Sequence, residues 1–139
     1  MTISRVLGIG FVGLLLTVGG CNSVTSDGLT PAKGTVSLDG TAVEKGIIRF
    51  MPADGVTPSV DSAIEGGKFS TRLPKGMMTV FINSGQKIGE QRIYEDDPKS
   101  PMTDVMKEII PEKYNVKTSL SLEVADKPLD NVAYDLTRK

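Results

Sequence analysis

Lys33-Gly-Thr-Val-Ser-Leu38 sets Val36 and Leu38 on one side of an extended chain, and Asp39-Gly40 follows at once. Apolar residues two apart describe a strand with one buried face, and Asp-Gly after such a run is a tight-turn dipeptide. The rhythm continues downstream. Residues 46–51 put Ile48 and Phe50 on one face and Arg49 on the other. Residues 68–73 align Phe69, Thr71 and Leu73, and residues 77–83 align Met78, Val80 and Ile82. Residues 59–64 make a weaker strand. Glu65-Gly66-Gly67 and Pro74-Lys75-Gly76 are turns, and residues 52–58, with two prolines and Asp54-Gly55, are a loop. Near the C-terminus, residues 119–124 align Leu120, Leu122 and Val124, and residues 131–136 align Val132, Tyr134 and Leu136. Residues 126–130, with Pro128, turn between them. Short strands at this spacing predict an all-β domain: a single antiparallel β-sandwich of about seven strands. One face of each strand enters the core and the other meets water.

The alternation stops between residues 84 and 113. Residues 86–113 carry five basic and seven acidic side chains out of twenty-eight. A polar insertion of that length in a compact domain is functional or disordered. Within it, residues 103–110 are expected as a short helix, with Thr103 as its N-cap and Pro111 as its stop.

Composition narrows the chemistry. The chain of 139 residues carries a net charge of −1, which argues against a nucleic-acid-binding surface. It holds no histidine, which removes the commonest general base and the commonest zinc ligand together. Tryptophan is absent and aromatics are 5%, a poor basis for a stacking platform. One cysteine, Cys21, excludes a disulfide within the chain.

That cysteine ends the leader. Arg5 is followed by an uncharged apolar run, residues 6–18. Thirteen residues are too few for a bilayer span of about 20, and fit the core of a signal peptide. Val18-Gly19-Gly20-Cys21 resembles the lipobox of bacterial lipoproteins. The resemblance implies cleavage between Gly20 and Cys21, acylation of Cys21, and a membrane anchor through that lipid. Residues 1–20 are then the signal peptide, 21–31 the lipidated start and a flexible tether, and 32–139 the sandwich with its insertion at 84–113. Asn22 follows the cysteine where an aspartate would favour inner-membrane retention. The expected location is the bacterial cell envelope, on the outer rather than the inner membrane.

Several stretches of the mature part resemble the carboxypeptidase regulatory-like domain, a transthyretin-like (prealbumin-type) sandwich. They are Gly34-Thr35-Val36, Asp39-Gly40, the series Val43, Gly46, Ile48, Phe50 and Pro52, then Gly67-Lys68-Phe69 and Pro74-x-Gly76-x-Met78-x-Val80. Met78 stands where the family has an aromatic, and Gly66 where it commonly has aspartate. Pro111-Glu112-Lys113-Tyr114-Asn115, followed by two strands, is similar to small bacterial lipoproteins built on this domain. The resemblance implies no enzymatic activity. Transthyretin-like hydroxyisourate hydrolases share the broad fold but rely on histidines, so their activity is not carried over. The Tyr114 hydroxyl is expected to anchor the junction between loop and strand.

Other chemistry is thin. Glu95-Asp96-Asp97 is the sharpest acidic cluster and lacks the spacing of a calcium loop, so it is read as a solvated loop and a candidate interaction site. Asp54, Asp61 and Glu65 are a further acidic set whose convergence sequence does not show. No Gly-x-Ser-x-Gly elbow is present, although composition leaves a Ser-Lys dyad open. Met77, Met78, Met102 and Met106 suggest core packing rather than a copper site. No catalytic residue, metal site or cofactor is expected. The function expected is a lipid-anchored, non-catalytic binding module, its partner an envelope protein or polysaccharide. Two other classes stay open: a structural envelope component assembling through strand edges, and a small-ligand or metal-binding protein.

Overall fold

A computed structural model of the chain describes residues 28–139. The signal peptide, Gly20, Cys21 and most of the expected tether lie outside the described residues. The last four tether residues do not, and two of them belong to β1 (Thr30–Leu38), which begins inside the span expected as linker.

The remaining strands are β2 (Thr41–Ala42), β3 (Lys45–Pro52), β4 (Val60–Glu65), β5 (Lys68–Leu73), β6 (Gly76–Asn83), β7 (Gly85–Arg92), β8 (Met102–Glu108), β9 (Ser121–Val124) and β10 (Leu129–Leu136). A 3-10 turn, Glu112–Tyr114, precedes β9. Eight strands form one sheet in the order β10-β1-β5-β4-β3-β6-β9, with β2 paired to β1. The all-β expectation is met, and the seven strands of the alternating pattern are present. Their pairing differs from the expected antiparallel arrangement, because β10 runs parallel to β1. Hairpin logic could not foresee this: β10 is joined in sequence to β9 yet pairs at the far end of the sheet.

That connection explains the shape. Laid flat, seven strands put β9 and β10 about 29 Å apart, at six spacings of ~4.8 Å. Val124 and Leu129 are five Cα steps apart, which span at most ~19 Å. The sheet therefore curls on itself as a half-barrel and encloses the core. The shortest ladder of the sheet is between β4 and β5. A two-residue turn, with Gly66 and Gly67 at φ 57° and 74°, joins them, yet their ladder holds only the pair Glu65 and Lys68. Ile64 and Phe69, the next pair inward, are both buried in the core.

The core is the sequence's inner face: Val36, Ile48, Phe50, Ile64, Leu73, Met78, Val80 and Ile82 are each at most 1% exposed. Phe69 stacks at a tilt between Phe50 and Tyr134, with ring centroids 5.8 Å and 6.3 Å away. Gly34 lies under it. A Cβ there would stand 2.1 Å from the Val132 carbonyl oxygen and 2.7 Å from the Phe69 ring, so only glycine permits this crossing.

The segment expected as an irregular insertion with a helix at residues 103–110 is neither. It forms a separate two-stranded antiparallel sheet of β7 and β8. Met102 and Met106, four residues apart, share a face on a strand as they would on a helix, and that spacing misleads. Neither methionine is core: they are 54% and 56% exposed, and Met77 is 49% exposed. Of the four methionines weighed for packing, Met78 alone is buried.

Candidate functional site

The β7–β8 hairpin is an arm. All eight residues of β7 are exposed, and on β8 only Val105 is half-buried. Both faces of the ribbon meet water, which is unusual for a two-stranded sheet with no third layer. Exposed apolar side chains run along it: Ile88, Ile93, Tyr94, Met102 and Met106. Ile88 is the extra residue of a β-bulge, since Lys87 pairs with Met106 and Gly89 with Val105. Lys87 ties the ribbon across its face through ion pairs to Glu90 (2.5 Å) and Asp104 (2.7 Å). These hydrogen bonds raise the Lys87 pKa, that to Asp104 most.

The root of the arm is fixed by one carboxylate. Glu108 Oε1 accepts the backbone N–H groups of Ser84 (2.9 Å) and Ile110 (2.8 Å). Its Oε2 accepts the Asn83 side-chain amide at 3.0 Å. The buried Ser84 hydroxyl donates to the Lys45 carbonyl at 2.5 Å. Beyond the arm, Ile110 enters the core, and the buried Asn115 amide donates to its carbonyl at 3.1 Å.

The tip carries Glu95, Asp96 and Asp97. Asp97 shapes the loop: its side chain accepts the Lys99 N–H at 2.9 Å and its carbonyl the Ser100 N–H at 3.0 Å. The Ser100 hydroxyl in turn accepts the Tyr94 N–H at 2.8 Å. Glu95 and Asp96 are exposed and make no hydrogen bond or ion pair among the described residues. The structure thus places the acidic triplet at the end of a projecting hairpin, a position the sequence pattern did not show.

Asp54, Asp61 and Glu65 do not come together. Asp54 holds its own loop, accepting the Val56 and Thr57 N–H groups at 2.9 Å each and the Thr57 hydroxyl at 2.6 Å. The Thr57 hydroxyl, foremost, lowers the Asp54 pKa. Asp61 forms a two-pronged pair with Arg49 at 2.7 and 2.8 Å on the outer face of the sheet. Glu65 lies at the opposite end of β4. Among the described residues no three His, Cys, Asp or Glu side chains are grouped to share a metal ion.

The Tyr114 hydroxyl does what its position suggested. It accepts the Thr137 N–H at 3.1 Å and joins the 3-10 turn to the end of β10. An open groove of about 860 Å³ lies on the outer face of β10, β1, β5 and β4. Its polar lining includes Lys33, Thr35, Ser62, Lys68, Ser70 and Asn131. No protein-family model matches the chain, and neither a curated protein nor a solved structure matches it.

Proposed function

We propose that this chain is a lipid-anchored, non-catalytic interaction module of the bacterial cell envelope that captures a partner with its β7–β8 arm. The observation that carries this reading is the arm itself. A ribbon with both faces in water and five large apolar side chains exposed is a surface built for contact rather than for the core. Its placement agrees. The chain comes in at Gly28 and Thr30, beside Leu73 and the Ala125 carbonyl. β1 then runs about 26 Å to Leu38 at the other end, at ~3.3 Å per residue, where Ser84 and Lys45 hold the root of the arm. An anchor on Cys21 would leave the arm clear of its own attachment.

Two further parts complete the reading. Val18-Gly19-Gly20-Cys21 supports acylation of Cys21. The ladder between β4 and β5 holds a single pair, which supports reading the curled sheet as a transthyretin-like sandwich. The test replaces residues 86–107 with an Asn-Gly turn and captures partners from solubilised envelopes. Loss of a partner held by the intact chain is the expected result. An unchanged set of partners would remove the arm from the function, and an unmodified Cys21 in the mass of the N-terminal peptide would remove the anchor.

A further inference from the structure

We propose that the free edge of β10 is a self-association surface, through which two copies of this chain join their sheets about a two-fold axis at Ala133. This goes beyond the reading of the arm and does not depend on it.

The argument starts from peptide directions. The Leu136 carbonyl accepts the Asp39 N–H at 2.8 Å, so Leu136 turns its peptide groups toward β1. Peptide groups alternate sides along a strand. Val132 and Tyr134 therefore also bond to β1, and Ala133, Asp135 and Thr137 face outward; the Asn131 carbonyl does so too, because it shares a trans peptide with the inward Val132 N–H, just after the register shift between Leu129 and Val132. Thr137 agrees, because its N–H is taken on that outer side by the Tyr114 hydroxyl. Asn131, Ala133 and Asp135 are left as an open, exposed stretch, and β10 ends the sheet there among the described residues. An edge of this kind is a template for another strand.

The sequence of the edge fits a second copy of itself. An antiparallel pairing centred on Ala133 sets Ala133 against Ala133, and Asn131 against Asp135 of the second copy, in both directions. Those three outward residues then satisfy one another with none left over. An amide faces a carboxylate whose Oδ1 already accepts the Ser37 hydroxyl at 2.7 Å, which leaves Oδ2 for the pairing; a methyl faces a methyl, and no like charges meet. Half-buried Val132 comes opposite Tyr134 of the second copy, which extends the core across the join. A register centred on Asp135 would set two carboxylates face to face. One centred on Tyr134 would call on Thr137, whose N–H is already occupied. The strands run in opposite directions, so each end of the dimer carries one arm and one chain start.

Oxidative cross-linking tests the register. Cys21 is the only cysteine, so the full chain carrying Cys21→Ser accepts one new thiol at a chosen place. Directly opposed residues in this pairing have Cα atoms ~5.5 Å apart, within the span of a disulfide. Ala133→Cys is expected to form a linked dimer. Asn131→Cys and Asp135→Cys are each expected to stay unlinked alone and to link when mixed. Adding Ala133→Lys to both mixed variants places two ammonium groups in opposition and is expected to lower the yield up to about fivefold. Circular dichroism of that exposed substitution checks the fold. A chain in which Ala133→Cys fails to link overturns the proposal. So does one in which Asn131→Cys and Asp135→Cys link to themselves as readily as to each other.

Discussion

The curled sheet and the β7–β8 arm are both built of strands, yet they are held by different forces. In the sheet every long strand sends side chains into one core, and nine apolar residues are at most 1% exposed. In the two strands of the arm no residue is buried, and the ladder, two ion pairs of Lys87 and the Glu108 carboxylate supply the order. Core burial removes apolar area from water at about 25 cal/mol per Å², whereas exposed ion pairs contribute about 0–1 kcal/mol each. The sheet should therefore melt as one unit, with the arm opening far more readily. Segments of low local stability are where binding surfaces are commonly found.

The comparison breaks most sharply at Phe50, which is fully buried and packs on Phe69. Phe50→Ala should cost about 3–5 kcal/mol, enough to unfold a marginal domain, whereas replacing residues 86–107 with a short turn should leave the thermal midpoint of the sheet nearly unchanged. Thermal denaturation followed by circular dichroism separates the two. Equal losses would mean that the arm is part of the cooperative unit.

Glu108 joins the two regions. Glu108→Ala leaves the Ser84 and Ile110 N–H groups without their acceptor and should cost about 1–3 kcal/mol. The loss should show as faster hydrogen exchange at the root of the arm, with the exchange of Ile48 and Val80 unaffected.

Two tyrosines sharpen the account within the sheet. Tyr114→Phe removes the acceptor of the Thr137 N–H and should destabilise by about 1 kcal/mol, read as a lower denaturant midpoint. An unchanged midpoint would deny the hydroxyl its anchoring role. Tyr134→Phe should be neutral or stabilising, because that hydroxyl is buried with no hydrogen-bond partner. Burial also pushes the Tyr134 phenol up to about 12, against 10 for the free side chain. The raised value favours the neutral form in the folded state. Its contribution is thus present below pH 10 and is lost as the pH rises toward 12. The Thr137 hydroxyl first, and then its N–H, by contrast lower the Tyr114 pKa through their hydrogen bonds. Phenolate absorbance should show Tyr114 titrating before Tyr134, with alkaline unfolding in that window. The smallest effect is expected on the arm, where Ile88→Ser should change stability by less than about 0.5 kcal/mol while weakening partner capture.

Much of the sheet was legible in the sequence because each of its strands has one wet and one dry face. Ile48, Arg49 and Phe50 record that asymmetry in three consecutive letters. β7 has two wet faces, so Gly85–Arg92 shows no alternation and reads as a loop. β8 misleads in another way. Thr103 resembles a cap, Pro111 a stop, and Met102 and Met106 a helical stripe, because a spacing of four suits either period. The parallel pairing of β1 with β10 left no local mark, since residues about a hundred positions apart meet through the curl of the whole sheet. The acidic triplet was visible, but its place at the end of a projecting arm depends on the Glu108 clamp, a contact between residues distant in sequence.

The most direct test of the two-part account is residue-resolved hydrogen exchange on the full chain. The sheet amides of Ile48, Phe50, Val80 and Ile82 should share one high protection, and those within β7 and β8 should exchange orders of magnitude faster. Protection in β7 and β8 equal to that of the sheet would contradict it, and would make the arm an integral part of the fold rather than a surface held out for a partner.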